Sequence, residues 1–79
     1  MVTRHAIPSP SILDHLEKHK VVGDRQVWRN RRGDRLYTWD SLHGEVEVFN
    51  GRGFHLGAVD PLSGLMIKEA VRGRRIEGL

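Results

Sequence analysis

The sequence predicts an α+β domain in which one short helix packs on a small antiparallel sheet. Near the N-terminus the apolar residues Ile12, Leu13 and Leu16 recur at spacings of three and four, which is typical of a helix. From Gln26 onward apolar and polar residues alternate in short runs separated by turn-forming residues, which is typical of hairpins. The length of 79 residues allows one domain, with a helical segment at 1–24 and a sheet at 25–79.

The predicted helix spans about Ser11 to His19. The preceding Ser9-Pro10-Ser11 provides hydroxyls that suit a helix cap and a proline that suits the first turn. Positive charge at Lys18 to Lys20 suits the C-terminal end of the helix dipole. Val21-Val22-Gly23-Asp24 is expected to end the helix.

Three or four short strands are predicted after the helix. The candidate segments, each followed by turn-forming residues, are Gln26 to Asn30, Arg35 to Asp40, Glu45 to Phe49 and Phe54 to Val59. Their short connections favour an antiparallel meander. The sequence leaves both a helical turn and a last strand open for Leu65 to Val71. We expect His55 to lie on the surface of the sheet.

Composition excludes several classes of site. Only 38% of the residues are apolar, so the core is small and leaves no room for a buried cofactor. The chain has no cysteine, so neither a disulfide nor a thiolate zinc site is possible, and we expect no metal or other cofactor. The longest apolar run has three residues, so we expect no membrane span and no secretory signal.

Basic residues suggest a polyanionic partner. The net charge is +3, and ten arginines outnumber three lysines. Guanidinium groups match the geometry of phosphate well. We therefore expect RNA-binding arginines in two clusters, namely Arg29, Arg31, Arg32 and Arg35 in the middle of the chain and Arg72 near its end. The alternative is that these arginines only keep a small domain soluble.

Acidic residues form a cluster between the two groups of arginines. Strand alternation places Glu45 and Glu47 together on an exposed face, with Val46 and Val48 towards the core. Asp40 ends the preceding strand and His43 lies in the connection, so a hairpin gathers two or three carboxylates and an imidazole from Asp40, Glu45, Glu47 and His43. Alternatively, the carboxylates form solvated ion pairs with nearby arginines, and the imidazole only occupies a turn.

This set of side chains suits cleavage of RNA without a metal ion. RNA supplies its own nucleophile, the 2′-hydroxyl, so a protein needs a base, an acid and a cation for the phosphorane charge. Glu47 fits the base, His43 the acid and an arginine the cation. The expected product is a 2′,3′-cyclic phosphate. A non-catalytic RNA- or ribosome-binding module is the rival interpretation, and a metal-dependent nuclease is a third.

The second half of the chain resembles the cytotoxic ribonuclease domain of the ribosome-cleaving colicins. The resemblance covers about 45 residues and rests on three motifs: Tyr-x-Trp-Asp-x-x-His-Gly-Glu-x-Glu from Tyr37, His-Leu-Gly-x-x-Asp-Pro from His55, and Arg-Arg-Ile from Arg74. It implies a strongly twisted antiparallel sheet and cleavage of 16S ribosomal RNA at the decoding site. It also implies a catalytic set of Asp40, His43, Glu47 and Arg74, with Glu45 and Arg75 in support.

The resemblance further implies partners and a place of action. The expected target is the ribosome in the cytoplasm. Because such a nuclease would kill the cell that makes it, we also expect an acidic inhibitor, either an immunity protein or an antitoxin. The start at Met1-Val2-Thr3 favours a free-standing toxin over an excised domain.

Overall fold

The computed structural model describes residues 3–78 and shows one antiparallel sheet. Its six strands are β1 Glu17–Val22, β2 Arg25–Arg29, β3 Arg35–Asp40, β4 Glu45–Asn50, β5 His55–Val59 and β6 Met66–Glu69. Each strand pairs with its neighbour in sequence, so the sheet order runs from β1 to β6 without a crossover. The predicted meander is confirmed. Leu65 to Val71, for which the sequence leaves a helical turn and a strand open, contains the strand β6.

The predicted α+β class is wrong because the N-terminal helix is absent from residues 3–78. A single 3-10 turn, Ile12–His15, stands in its place. Ser11 caps this turn as expected, since its hydroxyl accepts a hydrogen bond from the Leu13 N–H at 3.2 Å. The chain then becomes extended and pairs with β2, so the fold is all-β. No helix in this part of the chain is long and apolar enough to span a membrane.

Pairing explains why the helix does not form. An isolated helix of two turns is marginal in water, because nucleation fixes several residues for few hydrogen bonds. As a strand, Glu17–Val22 pairs with β2 from end to end, with one register shift between Lys18 and Lys20. Gly23 and Asp24 join the two strands in a tight turn with φ values of +54° and +64°. Both values fit a two-residue turn, which glycine and aspartate favour.

The register of β3 against β4 gives the sheet two different faces. On one face the opposed pairs are apolar, namely Tyr37 with Val48 and Trp39 with Val46. On the other face they are mainly polar, namely Thr38 with Glu47 and Asp40 with Glu45. Leu36 and Phe49 continue this second face towards the far end of the hairpin. We call these the apolar face and the polar face.

Both faces are covered. The buried residues of the larger hydrophobic cluster are Leu13, Trp28, Val46, Val48 and Val59. On the polar face, Val27, Leu36 and Phe49 form a smaller cluster against which Val22 and Ile76 pack. The predicted exposure of Glu45 and Glu47 is therefore wrong, since Glu45 is only 6% exposed and Glu47 only 4%. Alternation correctly predicted that they share a face, but that face is also covered.

The C-terminal segment provides part of this cover. After β6 the chain returns across the polar face, where the His55 N–H donates to the Arg74 carbonyl at 2.9 Å. The Ile76 N–H donates to the Gly53 carbonyl at 2.8 Å. These two hydrogen bonds fix the segment against the start of β5. Its arginines therefore project from a defined backbone.

The N-terminal segment is tied to the turn between β3 and β4. The His5 N–H donates to the Ser41 carbonyl at 2.7 Å. The Trp39 indole N–H donates to the His5 carbonyl at 3.0 Å, and an Arg4 guanidinium nitrogen lies 3.4 Å from the Ser41 hydroxyl. The segment therefore braces the turn that carries His43.

Candidate active site

Three carboxylates meet at one end of the polar face. Asp40 ends β3 directly opposite Glu45, and Glu47 follows two residues along β4. One carboxylate oxygen from each of the three lies within 4.8 Å of the others. The strand register produces this cluster, because residues two apart share a face and opposed residues lie side by side.

His43 is oriented by Asp40. Its Nδ1 lies 2.8 Å from Asp40 Oδ2, while Asp40 Oδ1 accepts the backbone N–H groups of Leu42 and His43 at 3.0 and 3.1 Å. An ionised carboxylate only accepts hydrogen bonds, so Nδ1 carries the proton in this pair. Among residues 3–78, Nε2 has no hydrogen-bond partner, and the His43 side chain is 53% exposed. The arrangement presents Nε2 to a bound molecule.

Glu47 is held between an imidazole and a guanidinium. Its Oε2 lies 2.8 Å from His55 Nε2 and 3.1 Å from an Arg74 terminal nitrogen. Neither contact has hydrogen-bond geometry, so the buried oxygen has no hydrogen-bond donor within residues 3–78. Electrostatic attraction holds the oxygen in place. It keeps a lone pair with which to accept a proton.

His55 is the site residue that the sequence analysis missed. Its side chain is only 2% exposed, so the predicted position on the sheet surface is wrong. The Val71 N–H donates to His55 Nδ1 at 2.9 Å. A nitrogen that accepts carries no proton, so the neutral ring bears its proton on Nε2, next to Glu47. The irregular pairing of Val48 and Phe49 with β5 sets this position, and the sequence does not reveal such an irregularity.

Glu45 is paired with a lysine from β6. Lys68 Nζ lies 2.7 Å from Glu45 Oε1. The pairing follows from the sheet order, because β6 neighbours β5 and brings Lys68 opposite Ala58 on the polar face. Lys68 is the second site residue that sequence analysis missed. It offsets much of the repulsion among the three carboxylates.

Two pKa shifts reflect these contacts. Partial burial alone would raise the pKa of Asp40, but hydrogen bonds from the side chain and backbone of His43 lower it below its ordinary 3.8. The hydrogen bond to Glu45 raises the pKa of Lys68 above its ordinary 10.5. Both groups are therefore ionised at neutral pH.

Most of these side chains line one cavity of about 450 Å³. It includes all four residues proposed from the sequence as catalytic, namely Asp40, His43, Glu47 and Arg74. The two residues missed from the sequence, His55 and Lys68, also line it, as do Arg4 and Arg25. Arg75 points elsewhere: its guanidinium lies 5.0 Å from the centre of the Phe54 ring. Of the two neighbouring arginines, the structure therefore places Arg74 in the site.

Comparison with known protein families identifies the family of this chain. A family model described as Cytotoxic matches residues 7–77, which is most of the chain. The chain belongs to this family of cytotoxic domains. The resemblance to colicin cytotoxic domains that the motifs indicate is therefore confirmed.

Known relatives of the cytotoxic domain are much longer proteins from Escherichia coli. Colicin E3 is 43% identical over 52 residues, which is 65% of this chain and 9% of colicin E3. Cloacin is 43% and colicin E6 is 40% identical over 47 residues, in both cases 58% of this chain and 8% of the relative. The chain thus spans less than a tenth of the length of each.

The arginines predicted to bind RNA are separated in the cytotoxic domain. Arg29, Arg31, Arg32 and Arg35 surround the turn between β2 and β3. Asp40 is five residues along β3 from Arg35, which corresponds to about 17 Å at ~3.3 Å per residue. Arg29 pairs with Glu17 at 3.2 Å and Arg32 lies 3.9 Å from Asp34. Arg72 lies between Val71 and Arg74 in sequence, and both of these neighbours line the cavity, whereas Arg72 itself does not. The RNA-binding role of these arginines stays a prediction.

The three carboxylates are also the group in the described chain with the spacing of a metal site. Hard divalent cations favour such oxygen ligands. In the cytotoxic domain, however, two of these carboxylates already have cationic partners, since Lys68 contacts Glu45 and Arg74 contacts Glu47. A divalent cation would have to displace both contacts, so the donor set fits a metal poorly.

Proposed function

We propose that this cytotoxic domain is an endoribonuclease toxin that cleaves small-subunit ribosomal RNA at the decoding site, in the cytoplasm, without a metal ion. The 2′-hydroxyl of the substrate attacks the adjacent phosphorus and leaves a 2′,3′-cyclic phosphate. The resemblance to the colicin domains supports the ribosomal substrate. The geometry of Glu47 and His43 supports the chemistry.

The observation that carries the proposal is the asymmetric setting of these two groups in one cavity. Glu47 offers a buried oxygen that has no hydrogen-bond donor in the described part of the chain, next to the fixed charge of Arg74. His43 offers a ring nitrogen on a half-exposed side chain, with the other nitrogen held by Asp40. One group suits removal of a proton and the other suits its delivery.

Each site residue then has a role in the reaction. Glu47 takes the proton of the 2′-hydroxyl, and protonated His43 gives a proton from Nε2 to the departing 5′-oxygen. Arg74 is 45% exposed, so it is able to move from Glu47 towards the phosphate and stabilise the charge of the phosphorane. This movement uncovers Glu47 Oε2 when substrate binds. Glu45 positions Lys68, and Asp40 positions His43.

Purified ribosomes provide the first test. Incubation with the protein in EDTA should release a discrete 3′ fragment of the small-subunit RNA, mapped by primer extension. Glu47→Gln and His43→Ala should each slow this cleavage by about 10²- to 10⁴-fold, the usual contribution of a general base or acid. Loss of wild-type cleavage in EDTA would instead indicate a metal-dependent nuclease.

A charge-matched variant controls for nonspecific effects. Glu69 is an exposed residue of β6 that does not line the cavity. Glu69→Gln therefore removes one carboxylate away from the site. This variant should cleave at the wild-type rate. Ribosome binding without any scission by the wild-type protein would favour the rival function, a non-catalytic ribosome-binding module.

We also propose an acidic protein inhibitor, an immunity protein or antitoxin. The chain carries a net charge of +3, with cations around the cavity that would attract a complementary acidic surface. Such a partner would act by covering the cavity or by blocking access to the ribosome. Co-expression of the correct partner should restore growth to cells that express the wild-type toxin.

A further inference from the structure

A second cavity lies on the polar face beside the candidate active site. Its volume is about 700 Å³, compared with about 450 Å³ for the cavity of the candidate active site, which we call the catalytic cavity. Arg25 and Arg74 line both cavities, so the two are adjacent and share a basic border. We call this second cavity the side groove.

The floor of the side groove is mostly apolar. Three of its residues belong to or pack against the smaller hydrophobic cluster, namely Val27, Phe49 and Ile76. Val27 is fully buried and Phe49 is 3% exposed, so the floor is part of the folded core. A surface of this kind suits a flat apolar group such as a nucleobase.

Both walls of the groove are fixed by the backbone. One wall is the β1–β2 hairpin, which closes through the tight turn at Gly23 and Asp24. The other is the C-terminal segment, held by the hydrogen bonds from His55 to Arg74 and from Ile76 to Gly53. A Cβ placed on Gly78 would lie 3.4 Å from a Val22 methyl carbon, so the walls meet at one end. The groove therefore exists before any ligand binds.

The rim of the groove is basic. Lys20, Arg25, Arg74 and Arg75 line it, and Glu77 is the acidic residue among its lining. Lys20, Arg25 and Arg75 have no acidic side chain within 4 Å among residues 3–78, whereas two arginines near the β2–β3 turn are paired. Unpaired cations above an apolar floor suit a phosphate and its attached base.

We propose that the side groove binds the ribonucleotide next to the scissile phosphate, with its base on the apolar floor and its phosphate near Arg25. The inference rests on the proposed ribonuclease function and extends it, because it gives the path of the RNA strand away from the catalytic cavity. Arg74 then lies between the reacting phosphate and the neighbouring nucleotide. Substrate affinity depends on Lys20 and Arg25, which the sequence analysis did not select.

Single-turnover cleavage of purified ribosomes tests this path, because it separates half-saturation from the maximal rate. Arg25→Ala and Lys20→Ala should each raise the half-saturating ribosome concentration at least fivefold and change the maximal rate less than threefold. Each should also reduce the slope of log affinity against log salt by about one, as expected for loss of one phosphate contact. The matched control Arg52→Ala removes an equal charge from the β4–β5 turn and should change half-saturation less than twofold.

A gain of affinity provides a second test that misfolding cannot mimic. Glu77→Gln removes the acidic group from the groove lining and should lower the half-saturating ribosome concentration two- to fivefold. Glu69→Gln, which removes a carboxylate outside the groove, should leave it unchanged. Equal effects of both substitutions would overturn the proposal, since they would reflect net charge alone.

The outcomes distinguish this inference from the proposed function. In one outcome, Arg25→Ala and Lys20→Ala keep the wild-type half-saturating concentration while Glu47→Gln loses cleavage. That result would reject nucleotide binding in the side groove and retain the proposed ribonuclease function. If the groove variants cleave normally but escape the protein inhibitor, the groove binds that acidic protein and the RNA assignment is wrong. If the wild-type protein cleaves no ribosomal RNA, the proposed function itself fails.

Discussion

His55 connects three parts of the molecule through one buried ring. It accepts a hydrogen bond from the Val71 backbone, lies 2.8 Å from Glu47 and packs edge-on against Phe49, with the ring centres 5.4 Å apart. The first contact fixes which nitrogen carries the proton. Because the buried ring is held by the Val71 backbone and lies against Glu47, His55 acts as a positioning residue and not as a second acid.

Substitution of His55 should therefore affect stability and cleavage together. His55→Ala leaves the Val71 N–H without its acceptor and opens a cavity beside Glu47, so we expect the free energy of unfolding to fall by about 2–4 kcal/mol. His55→Gln keeps a polar side chain and should recover part of this loss. Urea unfolding measures the stability, and the ring ¹⁵N shifts of the wild type should place the proton on Nε2.

His43→Ala is the matched comparison, because it removes the same side chain from an exposed position. It should cost less than about 1 kcal/mol of stability and yet slow cleavage more than His55→Gln does. A fully stable and fully active His55→Ala would show that the buried ring has no positioning role.

Asp40 should make stability depend on pH in the acid range. Its pKa in the folded protein is below the ordinary 3.8, so its ionised form stabilises the fold. This contribution is complete above the unfolded pKa and is lost as the pH falls through the lower folded pKa. The wild type should be more stable than Asp40→Asn at pH 6, and urea unfolding should show the difference shrinking below about pH 4. A difference that grew on acidification would contradict the assignment.

The sequence was sufficient to predict the cluster of three carboxylates but not its environment. Alternation along Glu45 to Glu47 and the position of Asp40 at a strand end were sufficient to bring the carboxylates together. Their burial depends on Lys68 and Arg74, which lie more than 20 residues away in sequence. No local pattern reports such contacts. The motif resemblance supplied Arg74, whereas nothing in the spacing indicated Lys68.

At the level of secondary structure, the pairing of β5 with β6 depends on one glycine. Gly57 has a φ of +147°, and a Cβ there would lie 2.5 Å from the Lys68 carbonyl oxygen. That oxygen belongs to the backbone of β6 and is not free to move away. The close approach of the two strands is therefore what brings Lys68 to Glu45.

Gly57→Ala should separate the last strand from the sheet. We expect a loss of about 2–4 kcal/mol in the free energy of unfolding, measured in urea, because both the strained φ and the clash with β6 oppose the new methyl group. Cleavage should fall as well, since Lys68 moves away from Glu45.

Gly73→Ala is the control for this substitution. Gly73 also has a positive φ, +83°, but a Cβ there would meet nothing within 4 Å. Its cost should therefore be limited to backbone strain, about 1 kcal/mol. Equal losses at the two positions would mean that the clash with β6 contributes nothing.

The missing helix shows where periodicity is ambiguous. Ile12, Leu13 and Leu16 have helical spacing, yet a single 3-10 turn already places Leu13 in the core. The following residues, from Glu17, gain more by pairing with β2 than by continuing the turn. The strands and turns from Arg25 to Val59 were predicted well because turn-forming residues such as glycine and asparagine mark their ends.

For the whole molecule, charge should control access to the ribosome. The net charge is +3, and the cations of both cavities lie on one side of the sheet. If about three of them contact phosphates, the half-saturating ribosome concentration should rise roughly 20- to 40-fold between 50 and 200 mM KCl. Cleavage assays at fixed enzyme concentration measure this. A salt-independent value would rule out phosphate contacts as the main source of affinity.

The tether between His5 and Ser41 has a practical consequence for protein engineering. Because Arg4 lines the cavity that we propose binds RNA, a polypeptide fused to the N-terminus is attached only a few residues from that cavity. A bulky fusion partner at that end would obstruct a large target such as the ribosome, while a small nucleotide would still pass. The choice of tag position therefore determines whether an assay reports the chemistry of the enzyme or the size of its attachment.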